Sequence, residues 1–204
     1  MLFRSTVSFD IDQPTPLVLS LSSKTNVLCH GASTGSAIVV ASGGTTGYTY
    51  TVDAGGPNTP TVTGNVITGM IAGTYTVRVT DANTCTTTLP VVITQPAAAL
   101  DITTVAAVLS NPGCNGASTG AINITVSGGT TPYSYAWSNG YNGEDLSNVP
   151  AGVYTVNVTD ANGCTVTGGA YTLTGPAAVT LTASSITNTN CNASVGAVTL
   201  TGSE

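Results

Sequence analysis

A segment that occurs twice constrains the fold of this chain more than any other feature. AGTYTVRVTDANTC at residues 72–85 returns as AGVYTVNVTDANGC at residues 151–164 with its spacing intact. Proline landmarks recur at intervals of 82 and 80 residues, at Pro14, Pro96 and Pro176. Self-similarity at a fixed period indicates tandem repeats. The chain is therefore predicted to consist of small units of about 80 residues rather than one large domain.

Each copy of this segment has the pattern of a β-strand followed by a tight turn. Tyr75, Val77 and Val79 alternate with more polar residues, which is typical of a strand with one buried face, and the second copy repeats the pattern from Tyr154. The run Asp-Ala-Asn-Gly at residues 160–163 favours a turn, because Asp can accept hydrogen bonds from backbone amides and Asn and Gly tolerate positive φ. Both tyrosines are predicted core residues of the tyrosine-corner type.

The composition excludes several classes of protein. Only 6% of residues are charged, and Thr, Gly, Val and Ala dominate, which suits strands joined by turns. The net charge is -6 and the cations are Arg4, Lys24 and Arg78. No basic patch can form, so nucleic acid is not an expected partner. No run of eighteen apolar residues is present to span a membrane. The start of the chain lacks the apolar core of a signal peptide, so we expect either that export is directed from elsewhere in a longer chain or that the first residues here are not the natural start.

The landmarks divide the chain into four segments: 1–14, the final strand of a preceding repeat; 15–96, a first β-sandwich repeat; 97–176, a second; and 177–204, the incomplete start of a third. Each complete repeat contains six to seven short strand patterns separated by turns. This spacing predicts an all-β protein of tandem antiparallel Ig-like (PKD-like) sandwiches in an elongated array. The third segment lacks the strands that would bury its apolar face, so it is not expected to fold alone.

Specific residues are expected in the sandwich cores. A hairpin is predicted around TVTGNVITG at residues 61–69. In the strand SAIVVAS at residues 36–42, Ile38 and Val40 are expected to face inward. Trp137 stands at the register of Val52 and is expected to fill the second core beside two tyrosines, Tyr133 and Tyr135.

The five cysteines are in register with the repeat. Cys29 and Cys85 are the first and last landmarks of one unit, Cys114 and Cys164 take these places in the next, and Cys191 matches the first position. Disulfides are predicted between Cys29 and Cys85 and between Cys114 and Cys164, which leaves Cys191 unpaired. Each loop of about fifty residues would contribute roughly 4 kcal/mol. Disulfides also imply an extracellular or cell-surface location.

Three motifs together resemble the SprB repeat, a module found in tandem in very large cell-surface adhesins of gliding Bacteroidetes. They are C-x-G-x-S-x-G at residues 29–35 and 114–120, GGTTPYSYAW at residues 128–137, and AGVYTVNVTDANGC at residues 151–164. The resemblance implies a secreted or surface-anchored adhesin, exported by the type IX system and used in attachment or gliding. The first repeat departs from the pattern with Gly47 for Pro132, Val52 for Trp137 and Thr84 for Gly163.

No constellation of catalytic residues is visible, so the chain is predicted not to be an enzyme and to need no cofactor. His30 is the single histidine, and Asn occupies the equivalent position in the other units, which indicates a loop variation. Cys29 is interpreted as a disulfide partner rather than a nucleophile. Asp81 and Asp160 are the candidate calcium ligands, but a hard cation usually takes several carboxylates. Both are therefore interpreted as Asx-turn residues, with no metal site predicted.

Three functions are compatible with these observations. The favoured one is a stalk or fibre segment of a larger adhesin, whose partners are neighbouring repeats of the same polypeptide and the anchoring or secretion machinery. The second is a module that binds a glycan or an abiotic surface through loops around Tyr141, Trp137 or His30. The third is an extracellular filament subunit, a homopolymer in which incomplete repeats at the two ends exchange strands.

Overall fold

The computed structural model describes residues 12–54, 56–103, 108–187 and 197–203, and it divides the chain into two compact units, Met1–Ala99 and Leu100–Glu204. All regular structure in these residues is β, and every strand pair is antiparallel. Nothing in the described part of the chain forms a helix with the length and apolarity needed to cross a bilayer.

The first unit is a sandwich of two sheets. Its strands are β1 (Val18–Thr25), β2 (Gly35–Ser42), β3 (Thr49–Val52), β4 (Thr61–Thr63), β5 (Val66–Met70), β6 (Gly73–Thr80) and β7 (Thr86–Ile93). One sheet has the order β1-β2-β5-β4 and the other β3-β6-β7. Both sheets contribute to one core, in which Val39 and Ile67 of the first meet Val77 and Val91 of the second. The predicted antiparallel β-sandwich is therefore confirmed, as is the hairpin at residues 61–69, now β4 and β5.

The second unit repeats this architecture with more interrupted strands. They are β8 (Asp101–Ile102), β9 (Val108–Ser110), β10 (Gly120–Asn123), β11 (Val126–Ser127), β12 (Ser134–Trp137), β13 (Leu146–Val149), β14 (Gly152–Thr159) and β15 (Thr165–Leu173). The sheet orders are β13-β10-β9, β11-β8 and β12-β14-β15. In sequence position, β8 and β9 together are equivalent to β1, and β10 and β11 together are equivalent to β2. No described strand corresponds to β4, because the loop before β13 is shorter than its counterpart.

Beyond the second sandwich, β16 (Thr180–Thr187) and β17 (Ala197–Ser203) form a hairpin. By their spacing from Cys191 and Gly196, Leu181 and Leu200 are equivalent to Leu19 and Val39 of the first repeat. The earlier pair is buried, whereas Leu181 is 64% and Leu200 52% exposed. The hairpin thus matches β1 and β2 in sequence register, but its equivalents of their buried positions are exposed.

One prediction about the core is wrong. Ala37 and Val39 of β2 face inward, and Ile38 and Val40 lie on the exposed outer face. Gly35 lies on the same face as Ala37 and Val39, and a Cβ atom there would lie 2.8 Å from Cγ2 of Ile93 in the opposite sheet, so this face of the strand packs closely on the core. Both alternating sets of SAIVVAS are apolar, so alternation alone cannot select a face. The second repeat distinguishes the two faces, because the polar Asn123 stands at the position equivalent to Ile38.

The first and last strands of each sandwich run in the same direction. In the first unit, Leu17, just before β1, and Cys85, just before β7, line one groove at the same end. There Gly44 N–H donates to Thr15 O at 2.6 Å. At the other end, Val27 N–H, after β1, donates to Thr94 O, after β7, at 2.9 Å. We call these ends the N-terminal pole and the C-terminal pole. The peptide therefore enters each sandwich at one pole and leaves it at the opposite one.

Candidate functional site

In the first unit, the repeated segment at residues 72–85 and the Gly-Gly loop before β3, formed by Gly43 and Gly44, meet at the N-terminal pole around one aspartate. Asp81 is buried, with only 5% of its surface exposed. Its Oδ1 accepts hydrogen bonds from the backbone N–H groups of Asn83 at 2.9 Å and Cys85 at 2.8 Å. Its Oδ2 accepts the N–H of Thr45 at 2.9 Å, across the pole. This buried carboxylate therefore joins the turn after β6 to the loop before β3.

The second unit contains the same arrangement around Asp160, which is also 5% exposed. Its Oδ1 accepts from Asn162 N at 2.9 Å and Cys164 N at 2.8 Å, and its Oδ2 from Thr130 N at 2.9 Å. The Asn162 amide also donates to the hydroxyl of Thr130 at 3.0 Å. We call the two arrangements the aspartate turns. Their recurrence in units of different loop length indicates an element of the repeat's architecture.

Glycine is required where the loop approaches the carboxylate. Gly44 has φ +60° and Gly129 φ +58°, in the left-handed region that other residues rarely adopt. A Cβ atom would lie 2.6 Å from Asp81 Oδ2 at the first position and 2.7 Å from Asp160 Oδ2 at the second. Any side chain would therefore collide with the aspartate or displace it.

The donors around Asp81 favour its charged form. The backbone N–H of Thr45 is the main cause of a lowered pKa of this carboxyl, burial opposes the shift, and the N–H groups of Cys85 and Asn83 lower the pKa further. A cation site would need oxygen ligands directed at the same point, whereas these groups are N–H donors. In the described residues no cluster of three or more His, Cys, Asp or Glu side chains could hold a metal ion. The environment of both aspartates fits the Asx-turn interpretation better than calcium.

The tyrosines of the repeated segment are buried in the cores and hydrogen-bonded to the chain just upstream. Tyr75 Oη accepts the N–H of Ile71 at 3.0 Å and also bonds to the Asn58 side chain. Tyr154 Oη donates to Pro150 O at 2.9 Å. Both hydroxyls thus reach back four residues, as in a tyrosine corner. The rings are enclosed, so they are not positioned to stack on a ligand.

Trp137 is a core residue of the second unit. Its Nε1–H donates to Gly143 O at 2.9 Å, and its ring centroid lies 6.0 Å from that of Tyr171, with the planes inclined at 49°. The ring partner is thus in the last strand, while Tyr133 and Tyr135 pack at the edge of the same core. Valine occupies both positions of this ring pair in the first repeat. Of the proposed binding residues, Trp137 is buried, while Tyr141 is 45% exposed and His30 is exposed.

The predicted disulfide pairs are wrong. Cys29 is disulfide-bonded and so is Cys164, whereas Cys85 and Cys114 are exposed free thiols. Neither Cys29–Cys85 nor Cys114–Cys164 is therefore formed. Cys191, predicted to be unpaired, lies outside the described residues.

The geometry of each sandwich explains this correction. Cys29 lies in the turn at the C-terminal pole, where Gly31 N–H donates to Gln95 Oε1 at 2.7 Å. Cys85 precedes β7 at the N-terminal pole, eight strand residues away. Eight residues at about 3.3 Å span roughly 26 Å, whereas the Cα atoms of a disulfide lie about 4–7 Å apart. In the second unit, Cys114 and Cys164 are separated in the same way by β15.

Sequence reasoning missed the residues that hold the C-terminal pole together. The N–H of Thr94 donates to Asn26 Oδ1 at 3.1 Å, and the N–H of Thr174 to Asn111 Oδ1 at 3.0 Å. A signal was present, because Asn-x-x-Cys occurs at each first-position cysteine, starting at residues 26, 111 and 188. The Thr45 and Thr130 amides were missed as well, although the Gly-Gly-Thr-Thr run that presents them recurs.

Comparison with known proteins gives one family match. Residues 21–57 and 106–142 match the family model of the SprB repeat. Each matched segment begins in the region of the first strand, includes the turn with Cys29 or Cys114 and the Gly-Gly loop, and ends just beyond the strand that follows this loop. The segments that contain Tyr75 and Tyr154 lie outside the match.

Other comparisons are sparse. No curated protein matches the chain at a significant level. A solved structure described as "Structure of surface layer protein SbsC, domains 1-6" is similar over 94% of this chain and 37% of that chain, with 15% identity and a TM-score of 0.32. The chain thus spans a little over a third of that protein's length. The family match thus covers one segment in each unit, residues 21–57 and 106–142, and both segments are similar to the SprB repeat.

Proposed function

We propose that this chain is a non-catalytic stalk or fibre segment of a large cell-surface adhesin that serves attachment or gliding. The observation that carries the proposal is the placement of the incoming and outgoing peptide at opposite poles of each sandwich. Both peptides are fastened where they meet the unit: Thr15 O accepts from Gly44 N–H at 2.6 Å, and Gln95 Oε1 accepts from Gly31 N–H at 2.7 Å. A unit built in this way can be inserted in series and transmit tension along the chain.

The strand arrangement supports resistance to tension. Because β1 and β7 run in the same direction, a pull on the two ends of the unit shifts one strand along the other. The Lys24 ammonium donates to Val92 O at 2.7 Å, and Val27 N–H donates to Thr94 O at 2.9 Å, so both contacts tie the β1 side to the β7 side. Contacts loaded in this direction must break together rather than one at a time.

The absence of catalysis is supported by the use of the polar residues inside the fold. Asp81 and Asp160 are saturated by backbone donors, and the hydroxyls of Tyr75 and Tyr154 are held by the chain upstream. A location at the cell surface or outside the cell is supported by the SprB repeats. The disulfide-bonded Cys29 and Cys164 support it too, because such bonds persist in oxidising compartments. Export by the type IX system belongs to the same proposal.

A replacement experiment tests the stalk role against a binding role. In the cell that expresses this protein, residues 15–176 are replaced by two unrelated β-sandwich domains of similar length, with peptide entry and exit at opposite poles. A stalk segment supplies reach and not recognition, so we expect attachment to be retained. As a control, deletion of the same residues shortens the protein and should reduce attachment. Loss of attachment after replacement, at normal surface abundance, would show that the repeats themselves recognise the surface.

A filament subunit is a second candidate, favoured by the hairpin β16–β17. The residues equivalent to the buried core positions of the first repeat, Leu181 and Leu200, are uncovered on this hairpin. Strands supplied by another molecule would bury them. In this case Leu200→Lys should abolish assembly, as measured by light scattering of the purified chain. Assembly that survives this substitution would count against strand exchange.

The glycan-binding or surface-binding alternative is supported by Tyr141, whose ring is exposed, and by the exposure of His30. Tyr141→Ala is the corresponding test. A glycan bound by the parent chain and not by this variant would favour that alternative over the stalk.

A further inference from the structure

The described cysteines occupy two kinds of position. Cys29 and Cys114 lie in the turn at the C-terminal pole of their units, and Cys85 and Cys164 close the aspartate turn at the N-terminal pole. One cysteine of each kind is disulfide-bonded, namely Cys29 and Cys164, and the other is a free thiol. Both kinds of position therefore form disulfides, and the length of a β-sandwich separates the two positions within one repeat.

The two free thiols are accessible at surfaces next to the ends of a sandwich. Cys85 lines a groove at the N-terminal pole of the first unit, between the aspartate turn and the incoming residues 13–17. Cys114 lines a groove at the C-terminal pole of the second unit, against the outgoing residues Pro176 and Ala177. Each thiol thus stands beside the peptide that connects its unit to the rest of a chain.

The charges favour a pairing of unlike poles. The Cys85 groove contains the carboxylate of Asp81, so two such poles facing each other would bring two negative charges together. The Cys114 groove is lined by Gly113, Asn115, Pro176, Ala177 and Val179, which carry no charge. Contact between one pole of each kind avoids the repulsion.

We propose that Cys114 of one copy of this chain forms a disulfide with Cys85 of a second copy, C-terminal pole to N-terminal pole. Such a contact is heterologous, because the two surfaces differ, so it leaves one free thiol at each end of the linked pair. Linkage therefore continues and produces a covalent row of chains. The proposal does not depend on an adhesive role, since it concerns only the linkage of repeats.

The bond can form by thiol–disulfide exchange with a small-molecule disulfide such as oxidised glutathione. The Cys114 thiolate attacks one glutathione sulfur, and a mixed disulfide forms as the first glutathione leaves as its thiolate. The Cys85 thiolate of the second copy then attacks the Cys114 sulfur of this mixed disulfide and releases the second glutathione. Both cysteine sulfurs are oxidised, one glutathione disulfide is reduced, and the two thiol protons pass to the glutathione thiolates.

The test incubates the purified 204-residue chain with reduced and oxidised glutathione, followed by electrophoresis without reductant and mass mapping of linked peptides. We expect a ladder of dimers, trimers and larger species that collapses with reductant, and peptides that join Cys85 to Cys114. C85S and C114S should each remain monomeric alone, and a mixture of the two should yield dimers and no larger species. C191S should retain the ladder. Equal thermal unfolding of all variants serves as the check on folding.

Several outcomes would overturn the proposal. A wild-type chain that stays monomeric under oxidation would do so, and so would a ladder that persists in C85S or C114S. Linked peptides that join like positions of two copies, Cys85 to Cys85 or Cys114 to Cys114, contradict the pairing of unlike poles. A linkage of either thiol to Cys191 within one copy also contradicts it.

Discussion

Gly129 lies so close to Asp160 that a Cβ atom on the glycine would stand 2.7 Å from the carboxylate Oδ2. The same approach occurs between Gly44 and Asp81 in the first unit, at 2.6 Å. This relationship connects the two motifs that recur most clearly in the sequence. It assigns the Gly-Gly loop and the aspartate turn to one structural element at the N-terminal pole of each sandwich.

We expect Gly129→Ala to destabilise the second unit by about 2–4 kcal/mol, from the left-handed backbone and from displacement of a buried hydrogen-bonded carboxylate. Trp137 is the single tryptophan and lies in this unit, so its fluorescence during urea unfolding reports the effect. Gly116→Ala is the matched control, because Gly116 has φ +71° with nothing within 4 Å of its Cβ position. Equal losses in the two variants would show that the contact with Asp160 is unimportant.

The aspartate turn should make the stability of the first unit depend on pH. The folded state lowers the pKa of Asp81, so its contribution is fully present above the pKa of the unfolded chain, about 3.9. The contribution is lost as pH falls through the still lower folded pKa. Asp81→Asn should therefore be less stable than the parent at neutral pH, and the difference should shrink in acid. Circular dichroism during denaturant unfolding at a series of pH values measures it, and a difference that is independent of pH would contradict the expected role of the charge.

Thr84 is a strained position that the second repeat avoids. Its φ is 66°, where a β-branched residue is unfavourable, and the equivalent Gly163 has φ 82°. We expect Thr84→Gly to stabilise the first unit by about 1 kcal/mol, because glycine adopts this backbone without the Cβ penalty. The reverse change, Gly163→Thr, should destabilise the second unit by a similar amount. Thermal unfolding of both variants measures the effects, and shifts of the same sign would refute this explanation.

Features with a local signal could be predicted from the sequence. The alternation around Tyr75 and Tyr154 predicts buried strands, Asp-Ala-Asn predicts the turn, and Gly-Asn at residues 64–65 between two strand patterns predicts the hairpin. Each of these depends on neighbouring residues along the chain. The partner of Asp81 across the pole could not be derived in this way, because Thr45 lies 36 residues away and contributes only its backbone N–H.

The wrong predictions have a different physical origin. Cys29 and Cys85 are landmarks of one repeat, but their positions in the sequence do not reveal that they lie at opposite poles. After Cys85, β7 runs the length of the sandwich before the chain reaches the pole where Cys29 lies. The prediction of which β2 residues face the core was wrong because Ile38 and Val39 are both apolar. Comparison of the two repeats would have corrected the phase, since Asn123 marks the exposed face.

Stretching a single molecule tests the central claim most directly, namely that the sandwiches transmit tension between opposite poles. The chain is held by its two ends under reducing conditions, so that disulfides do not shorten the released length. We expect two abrupt unfolding events, each of which releases about 80 residues, or roughly 250 Å of extended chain. Gradual extension at low force, with no separate events, would contradict the account.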